Sequence, residues 1–172
     1  MSFLIDLQPS AGPALVVGAG TVALRRITNL AAAGFDVTVI AEAIDAVSAA
    51  QLTAHPAVTI LQRPFSVTDI DGPGRWALVF ACTNDRDVNR RAGELARAHG
   101  IPVAVADARA ESTFFTPATA REGAVTIAVS TGGGSPGFAK DLRDRIVAAL
   151  GEGWGATAGT LHDDRAARRG LE

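Results

Sequence analysis

Three small residues, Gly18, Gly20 and Ala23, form a G-x-G-x-x-A spacing directly after the apolar segment Ala14–Val17. A strand that ends in this spacing and leads into a helix is typical of dinucleotide-binding folds. The first glycine permits a tight turn, the second lets the backbone approach a pyrophosphate, and the third small residue lets the helix pack closely on the strand. The helix N-terminus then favours phosphate groups. The motif predicts a nucleotide site, although such a turn also occurs without a ligand.

An acidic residue, Glu42, follows the second predicted strand roughly 20 residues after Gly20, which is the spacing of the ribose-binding acid in dinucleotide folds. A carboxylate at this place favours a ribose 2′-hydroxyl over a 2′-phosphate, and therefore NAD over NADP. Glu42 can equally be a first-turn helix acid that the helix dipole stabilises.

The elements that must position these residues alternate between apolar strands and helices. Strands are predicted at Ala14–Val17, Asp36–Ile40, Val58–Leu61, Trp76–Cys82 and Val103–Ala106, after a short lead-in strand or extended arm at 3–7. Helices are predicted at about 21–33, at Glu42–Gln51 and from an N-cap in Thr83–Asp85 to about His99. This α/β pattern predicts a Rossmann-type, doubly wound parallel sheet of order 3-2-1-4-5. Ligands of such sheets bind at the carboxyl ends of the strands.

The pattern changes after residue 112. Thr113–Ala118 and Val125–Ser130 are predicted as strands with a turn at 121–123, and Ser135 is predicted to cap a helix that begins at Pro136 and ends near Leu150. This segment of about 38 residues is too small to bury a core alone, so we expect it to form a homodimer interface. The predicted organisation is a Rossmann domain at 1–112, a dimerisation hairpin and helix at 113–150, and a disordered tail at 151–172.

Composition excludes several classes of protein. The 172 residues carry a formal net charge of −2, which does not favour nucleic-acid binding. A single cysteine, Cys82, excludes an intrachain disulfide and a cysteine-based metal site, and the three histidines have no partner at ligand spacing, so no metal site is predicted. Without a signal peptide or an apolar run long enough to cross a membrane, a cytoplasmic protein with no membrane contact is expected.

Further motifs follow the glycine turn in a fixed order, at Ala81–Asp85 with Val88 and Asn89, Val105–Asp107, Thr113–Ala118 and Ser130–Pro136. Together they resemble the precorrin-2 dehydrogenase/sirohydrochlorin ferrochelatase family, which includes the amino-terminal module of sirohaem synthase. The resemblance covers residues 3–150. It implies oxidation of precorrin-2 to sirohydrochlorin with NAD as cofactor, in some members insertion of ferrous iron to give sirohaem, and a homodimer built through the segment after the Rossmann domain.

The resemblance also implies roles for particular residues. Asp107 falls on the family's catalytic aspartate, where it can accept a proton, orient the macrocycle or bind iron; by itself it can also be a turn-capping residue. The expected cofactor contacts are Gly18, Gly20, Thr21, Val22, Glu42, Ala43, Thr83 and Asn84. The substrate's many carboxylates call for cations and free N–H groups, and the candidates are Arg25, Arg26, Thr131, Gly132, Gly133, Ser135 and Lys140, with Arg143 as a further cation. Thr131 falls on a serine that is phosphorylated in one family member.

Two positions depart from the family pattern, because Ala104 stands where asparagine is usual and Arg109 where proline is common. The helical region that follows the last helix in longer members is reduced to the 151–172 segment, which makes chelatase activity the less secure of the two reactions. A different class of function remains open at this point, namely a non-catalytic NAD-binding dimer that senses redox state.

Overall fold

The computed structural model describes residues 2–72 and 76–156 and divides the chain into two compact units. The first, which we call the Rossmann unit, is Phe3–Phe114. The second, the hairpin unit, contains Ser2 and residues 115–156 of the described chain. Each unit is described by itself.

The Rossmann unit is built on a parallel sheet of five strands in the order β3-β2-β1-β4-β5. The strands are β1 (Ala14–Val17), β2 (Val37–Ala41), β3 (Val58–Gln62), β4 (Leu78–Ala81) and β5 (Val103–Val105). All residues of β1 and β4 are buried, as expected of central strands covered by helices on both faces. Two clusters of apolar side chains cover the two faces of this sheet. The predicted fold class and strand order are confirmed.

Helices α1 (Thr21–Ala32), α2 (Ala46–Thr53), α3 (Thr68–Asp71) and α4 (Arg86–Ala98) connect these strands. The prediction that α2 begins at Glu42 is wrong. Asp45 is its N-cap, and its Oδ1 accepts hydrogen bonds from the N–H groups of Val47 and Ser48 at 3.1 and 2.9 Å. The side chain of Ser48 donates a further bond to the same carboxylate, which lowers the pKa of Asp45. Capping by Asp45 therefore leaves residues 42–44 as a loop.

The hairpin unit consists of the antiparallel strands β6 (Ala118–Glu122) and β7 (Val125–Val129), followed by α5 (Pro136–Leu150). The predicted strand at Thr113–Ala118 is wrong, and Arg121 and Glu122 belong to β6 rather than to the turn. Residues 112 and 113 do not pair in the hairpin because their hydroxyls bond to β5, where Ser112 Oγ accepts from Val105 N and Thr113 Oγ1 from Val103 N.

Hydrogen bonds join the parts of the hairpin unit. Arg143 donates from Nη1 to the Thr119 carbonyl at 2.7 Å, which fixes α5 on β6. The Glu122 carboxylate accepts hydrogen bonds from Gly153 N and Gly155 N at 3.0 and 2.9 Å. The first residues of the predicted tail are therefore held against the hairpin, whereas its later part, 157–172, lies outside the described residues.

At the other end of the chain, residues 3–7 belong to no strand or helix of the described structure, and Phe3 and Ile5 are exposed. The alternative of a lead-in strand is therefore wrong, and the extended arm stays a prediction. Within the described ranges, no helix is long and apolar enough to cross a membrane.

Candidate active site

Gly18 directly follows β1 and packs against the residues that follow β4. Its φ of +110° belongs to a region that side-chain-bearing residues rarely adopt, and its N–H donates to the Ile40 carbonyl at 2.7 Å. A Cβ at this position would lie 2.5 Å from Cys82 O and 2.9 Å from Thr83 N. The turn therefore packs directly on the Cys82–Thr83 peptide, and only glycine fits there.

Gly20 is exposed and forms the N-cap of α1 with an ordinary φ of −75°. A Cβ at Gly20 would meet no heavy atom within 4 Å, and no side chain of the described residues caps this helix end. Thr21 and Val22, which follow, are both exposed, whereas Ala23 is fully buried against the sheet. The open N-terminus of α1 is the arrangement that receives a phosphate group.

The end of β2 brings Glu42 and Ala43 to the same edge of the sheet, and both are exposed. Because α2 begins only at Ala46, Glu42 is not a first-turn helix acid. The contact of Glu42 with a ribose stays a prediction.

The end of β4 carries Thr83, which is half-buried, and Asn84, which is exposed. Asp85 caps α4 through hydrogen bonds from Asp87 N and Val88 N. Thr83 is bound by Asn89, a fully buried residue of α4 that the sequence analysis did not select as a site residue. One signal was available in the sequence: Asn89 follows the cap by one helical turn, on the same apolar face as Ala92 and Ala96.

Asp107 follows the end of β5 and lies at the same edge of the sheet as the glycine turn. Val17, Ala81 and Val105 are aligned across β1, β4 and β5, so Gly18 and Asp107 both lie just beyond one row of the sheet. Two strand spacings of about 4.8 Å separate β1 from β5 by about 10 Å.

The carboxyl group of Asp107 is 40% exposed. Its Oδ2 lies 3.9 Å from Nε of Arg86, which also forms an ion pair with Glu111. Within the described part of the chain no hydrogen bond ends on the Asp107 carboxylate, so its use as a turn cap has no support there. Of the two departures from the family pattern, Ala104 lies within β5 and Arg109 begins a short 3₁₀ turn, Arg109–Glu111.

Arg26 projects from α1 over the ring of Phe80, with its guanidinium carbon 5.5 Å from the ring centroid. Burial, with a smaller effect of Arg25, lowers the pKa of Arg26. Burial also raises the pKa of Cys82 to about 11, with Arg26 opposing the rise and Asp107 adding to it. Cys82 is thus a neutral core thiol rather than a nucleophile, and it lies within electrostatic range of both Arg26 and Asp107.

The remaining candidates lie in the hairpin unit, in the loop before α5. Thr131 Oγ1 accepts a hydrogen bond from Ser135 N at 2.9 Å, and Ser130 Oγ accepts one from Gly132 N at 3.1 Å. Ser135 is the N-cap residue of α5 and Pro136 its first residue, as predicted, but the Ser135 side chain makes no capping hydrogen bond to the described helix end.

The Gly134 N–H is likewise engaged, by the Thr131 carbonyl. The N–H groups of Gly132, Gly134 and Ser135 thus make hydrogen bonds within this loop, whereas the sequence predicted free amides there. Gly133 has a φ of +77°, and Lys140 is exposed on α5. The substrate contacts assigned to this loop and to Lys140 stay predictions.

No group of three histidine, cysteine or acidic side chains that could hold a metal ion occurs among the described residues. His99 instead pairs with Asp71, with Nε2 2.6 Å from Oδ1.

A parallel sheet of this order with a glycine turn at the end of β1 defines a Rossmann-type dinucleotide-binding protein. A family model described as putative NAD(P)-binding matches residues 5–118, and a second, described as sirohaem biosynthesis protein central, matches residues 122–149. The chain belongs to the putative NAD(P)-binding family, and the family resemblance drawn from the motifs is confirmed. A nicotinamide cofactor is the class of ligand that this family membership indicates.

Relatives among characterised sequences are named siroheme synthase. Those of Methylococcus capsulatus and Thioalkalivibrio sulfidiphilus are each 39% identical to this chain, over 89% and 88% of its length. That of Gluconobacter oxydans is 34% identical over 95%. The chain spans about a third of the length of these curated relatives, at 31%, 30% and 35%.

Among solved structures, the chain is similar in fold to one described as SirC, precorrin-2 dehydrogenase. The TM-score is 0.76 at 23% sequence identity, and the match covers 96% of this chain and 79% of that one. This likeness confirms the architecture of a five-stranded sheet followed by a hairpin and a helix.

Proposed function

We propose that this chain oxidises precorrin-2 to sirohydrochlorin with NAD⁺ as hydride acceptor, in the biosynthesis of sirohaem. The observation that carries the proposal is the placement of the exposed Asp107 carboxylate beside the glycine turn, at one edge of the sheet. The names of the relatives, siroheme synthase and precorrin-2 dehydrogenase, supply the substrate class.

The residues at this edge fit a dinucleotide. We assign the diphosphate to the open N-terminus of α1, at Gly20, Thr21 and Val22, where a side chain on Gly20 would fill the space that the phosphates need. We assign the adenosine ribose to the exposed Glu42 with Ala43, which favours NAD over NADP. We assign Thr83 and Asn84, which follow the end of β4, to the same cofactor site. When bound, NAD⁺ supplies the acceptor for the hydride.

The reaction removes two hydrogens from precorrin-2, one as a hydride and one as a proton. We assign acceptance of the proton to the Asp107 carboxylate, which is exposed and carries no described hydrogen bond that would have to break first. Cations of the same unit, Arg25 and Arg26, are the proposed partners of the substrate carboxylates. Thr131, Gly132, Gly133, Ser135 and Lys140 are the candidates for this role in the hairpin unit, which we also propose as the homodimer interface.

The test supplies precorrin-2 and NAD⁺ under anaerobic conditions and follows the absorbance of sirohydrochlorin. Asp107→Asn removes the proton acceptor but keeps the shape of the side chain, so we expect kcat to fall by about 100-fold or more with an unchanged Kd for NAD⁺. Asp36→Asn is the matched control, because Asp36 is an exposed carboxylate next to the amino end of β2, at the opposite edge of the sheet.

Two results would count against this assignment. An Asp107→Asn variant with wild-type kcat would remove Asp107 from the chemistry. A wild-type protein that binds NAD⁺ without oxidising precorrin-2 would favour the redox-sensing dimer. A separate assay tests iron insertion, in which ferrous iron is a substrate. If ferrous iron and sirohydrochlorin give sirohaem no faster with the protein than without it, the protein performs the dehydrogenase step alone.

A further inference from the structure

Asn89 makes three hydrogen bonds to a single residue, Thr83. Its Oδ1 accepts from the Thr83 N–H at 2.9 Å and from the Thr83 hydroxyl at 2.8 Å, and its Nδ2 donates to the Thr83 carbonyl at 3.0 Å. Asn89 is fully buried, so water does not compete for these bonds. We call this set of bonds the Asn89–Thr83 clamp.

The clamp acts on the peptide that supports the glycine turn. A peptide unit is planar, so fixing the Thr83 N–H also fixes the orientation of the Cys82 carbonyl in the same unit. That carbonyl oxygen lies 2.5 Å from the position a Cβ on Gly18 would occupy. Asn89 thereby acts through Thr83 on the surface against which Gly18 packs.

Each end of the β4–α4 loop also has hydrogen bonds that do not involve Asn89. Cys82 N donates to the Val17 carbonyl at 2.8 Å, which ties the end of β4 to β1. Asp85 caps α4 through its own hydrogen bonds to Asp87 N and Val88 N. The clamp acts between these two anchors, on Thr83, which is one of the two residues between Cys82 and Asp85. The Thr83 hydroxyl also bonds to the backbone N–H and carbonyl of Asp85.

We propose that Asn89 is a positioning residue for the dinucleotide site, holding the Cys82–Thr83 peptide so that the glycine turn presents the N-terminus of α1 to the diphosphate. This inference rests on the proposed function only as far as nucleotide binding. Without the clamp the loop relaxes, because the Thr83 N–H and carbonyl must find other partners. The expected loss is one of affinity for NAD⁺ in a protein that is still folded.

The test measures the Kd for NAD⁺ by calorimetry on protein whose fold is checked by circular dichroism. Asn89→Ala removes all three bonds, and we expect its Kd to rise by about tenfold or more. Leu52→Ala is the control variant. Leu52 is equally buried but lies on α2, and its truncation lowers stability by about 2–5 kcal/mol while the clamp stays intact, so its Kd should equal that of the wild type.

Asn89→Asp gives a signature that a merely stabilising residue would not produce. A protonated carboxyl group reproduces the pattern of the amide, since it donates to the Thr83 carbonyl and accepts from the Thr83 N–H, whereas a carboxylate faces that carbonyl without a donor. The ratio of the Asn89→Asp Kd to the wild-type Kd should therefore rise with pH between about pH 5 and pH 8.

The outcomes separate this inference from the proposed function. A wild-type protein with no affinity for NAD⁺ would overturn the proposed function and this inference together. A wild-type protein that binds NAD⁺, with Asn89 variants that bind it equally well at every pH, would overturn the positioning role alone. If neither Asn89 variant folds, Asn89 determines stability rather than the geometry of the site, and the inference is also overturned.

Discussion

Replacing Gly18 by alanine should substantially lower the stability of the Rossmann unit. The alanine Cβ would lie 2.5 Å from Cys82 O, 2.7 Å from Cys82 C and 2.9 Å from Thr83 N. The two backbones cannot separate easily, because Cys82 N donates to the Val17 carbonyl and Gly18 N donates to the Ile40 carbonyl. Relief of the overlap therefore requires β1 to move away from β4 at the centre of the sheet.

The magnitude has two parts. Alanine at a φ of +110° costs about 1–3 kcal/mol of backbone strain. Insertion of a methyl group into a fully packed contact costs a further 1–3 kcal/mol, roughly. The free energy of unfolding should fall by about 2–6 kcal/mol, a large part of the 5–15 kcal/mol or so that keeps a typical domain folded.

Gly20→Ala is the matched variant, because Gly20 lies two residues after Gly18 in the same turn. Its φ is −75° and the added Cβ meets no heavy atom within 4 Å, so the loss of stability should not exceed about 1 kcal/mol. The same methyl group would occupy the space assigned to the diphosphate. Gly20→Ala should therefore stay folded while its affinity for NAD⁺ falls.

Urea unfolding measures the stability of both variants and the wild type, and calorimetry measures their affinity for NAD⁺. We expect a loss of stability in Gly18→Ala and a loss of affinity in Gly20→Ala. If Gly18→Ala unfolds within about 0.5 kcal/mol of the wild type, the steric argument at this turn is refuted. If Gly20→Ala binds NAD⁺ with wild-type affinity, the diphosphate does not lie over the N-terminus of α1.

Two further predictions concern the cofactor and the buried thiol. Glu42→Gln should reduce the preference for NAD⁺ over NADP⁺ by about tenfold, measured as the ratio of the two Kd values, because a neutral amide no longer repels a 2′-phosphate; an unchanged ratio would remove Glu42 from the ribose site. Burial raises the pKa of Cys82 to about 11, so the folded state keeps its thiol proton where the unfolded chain, with a pKa near 9, has lost it. The contribution of Cys82 to stability is therefore complete below about pH 9 and lost as the pH rises towards 11, and urea unfolding should show a steeper fall over this range for the wild type than for Cys82→Ala.

The sheet could be predicted from the sequence because its strands carry strong local signals. The segments at β1 and β4 are apolar throughout, as strands buried on both faces must be. The glycine motif after β1 identifies β1 as the first strand of a dinucleotide-binding fold. With right-handed crossovers, such a fold favours the strand order 3-2-1-4-5. The observed sheet has that order.

The errors arose where polar side chains overrode a local pattern. Asp45 caps α2 and shortens it at its start, although residues from Glu42 onward look helical by composition. The hydroxyls of Ser112 and Thr113 bond to β5, which delays the hairpin to Ala118. Helical periodicity places Asn89 on the buried face of α4, but it does not reveal the hydrogen bonds to Thr83 on which its role depends.

The bonds from Ser112 and Thr113 to β5 have a consequence for the protein in a crowded solution. β5 is an outer strand of its sheet, and an outer strand with unpaired N–H and carbonyl groups invites another chain to add to it. Here the N–H groups of Val103 and Val105 are taken by hydroxyls, and Thr113 N also donates to the Val103 carbonyl at 2.8 Å. Ser112 and Thr113 thus occupy hydrogen-bonding groups of β5 that another chain would need for edge-to-edge pairing, although they do not form a sixth strand.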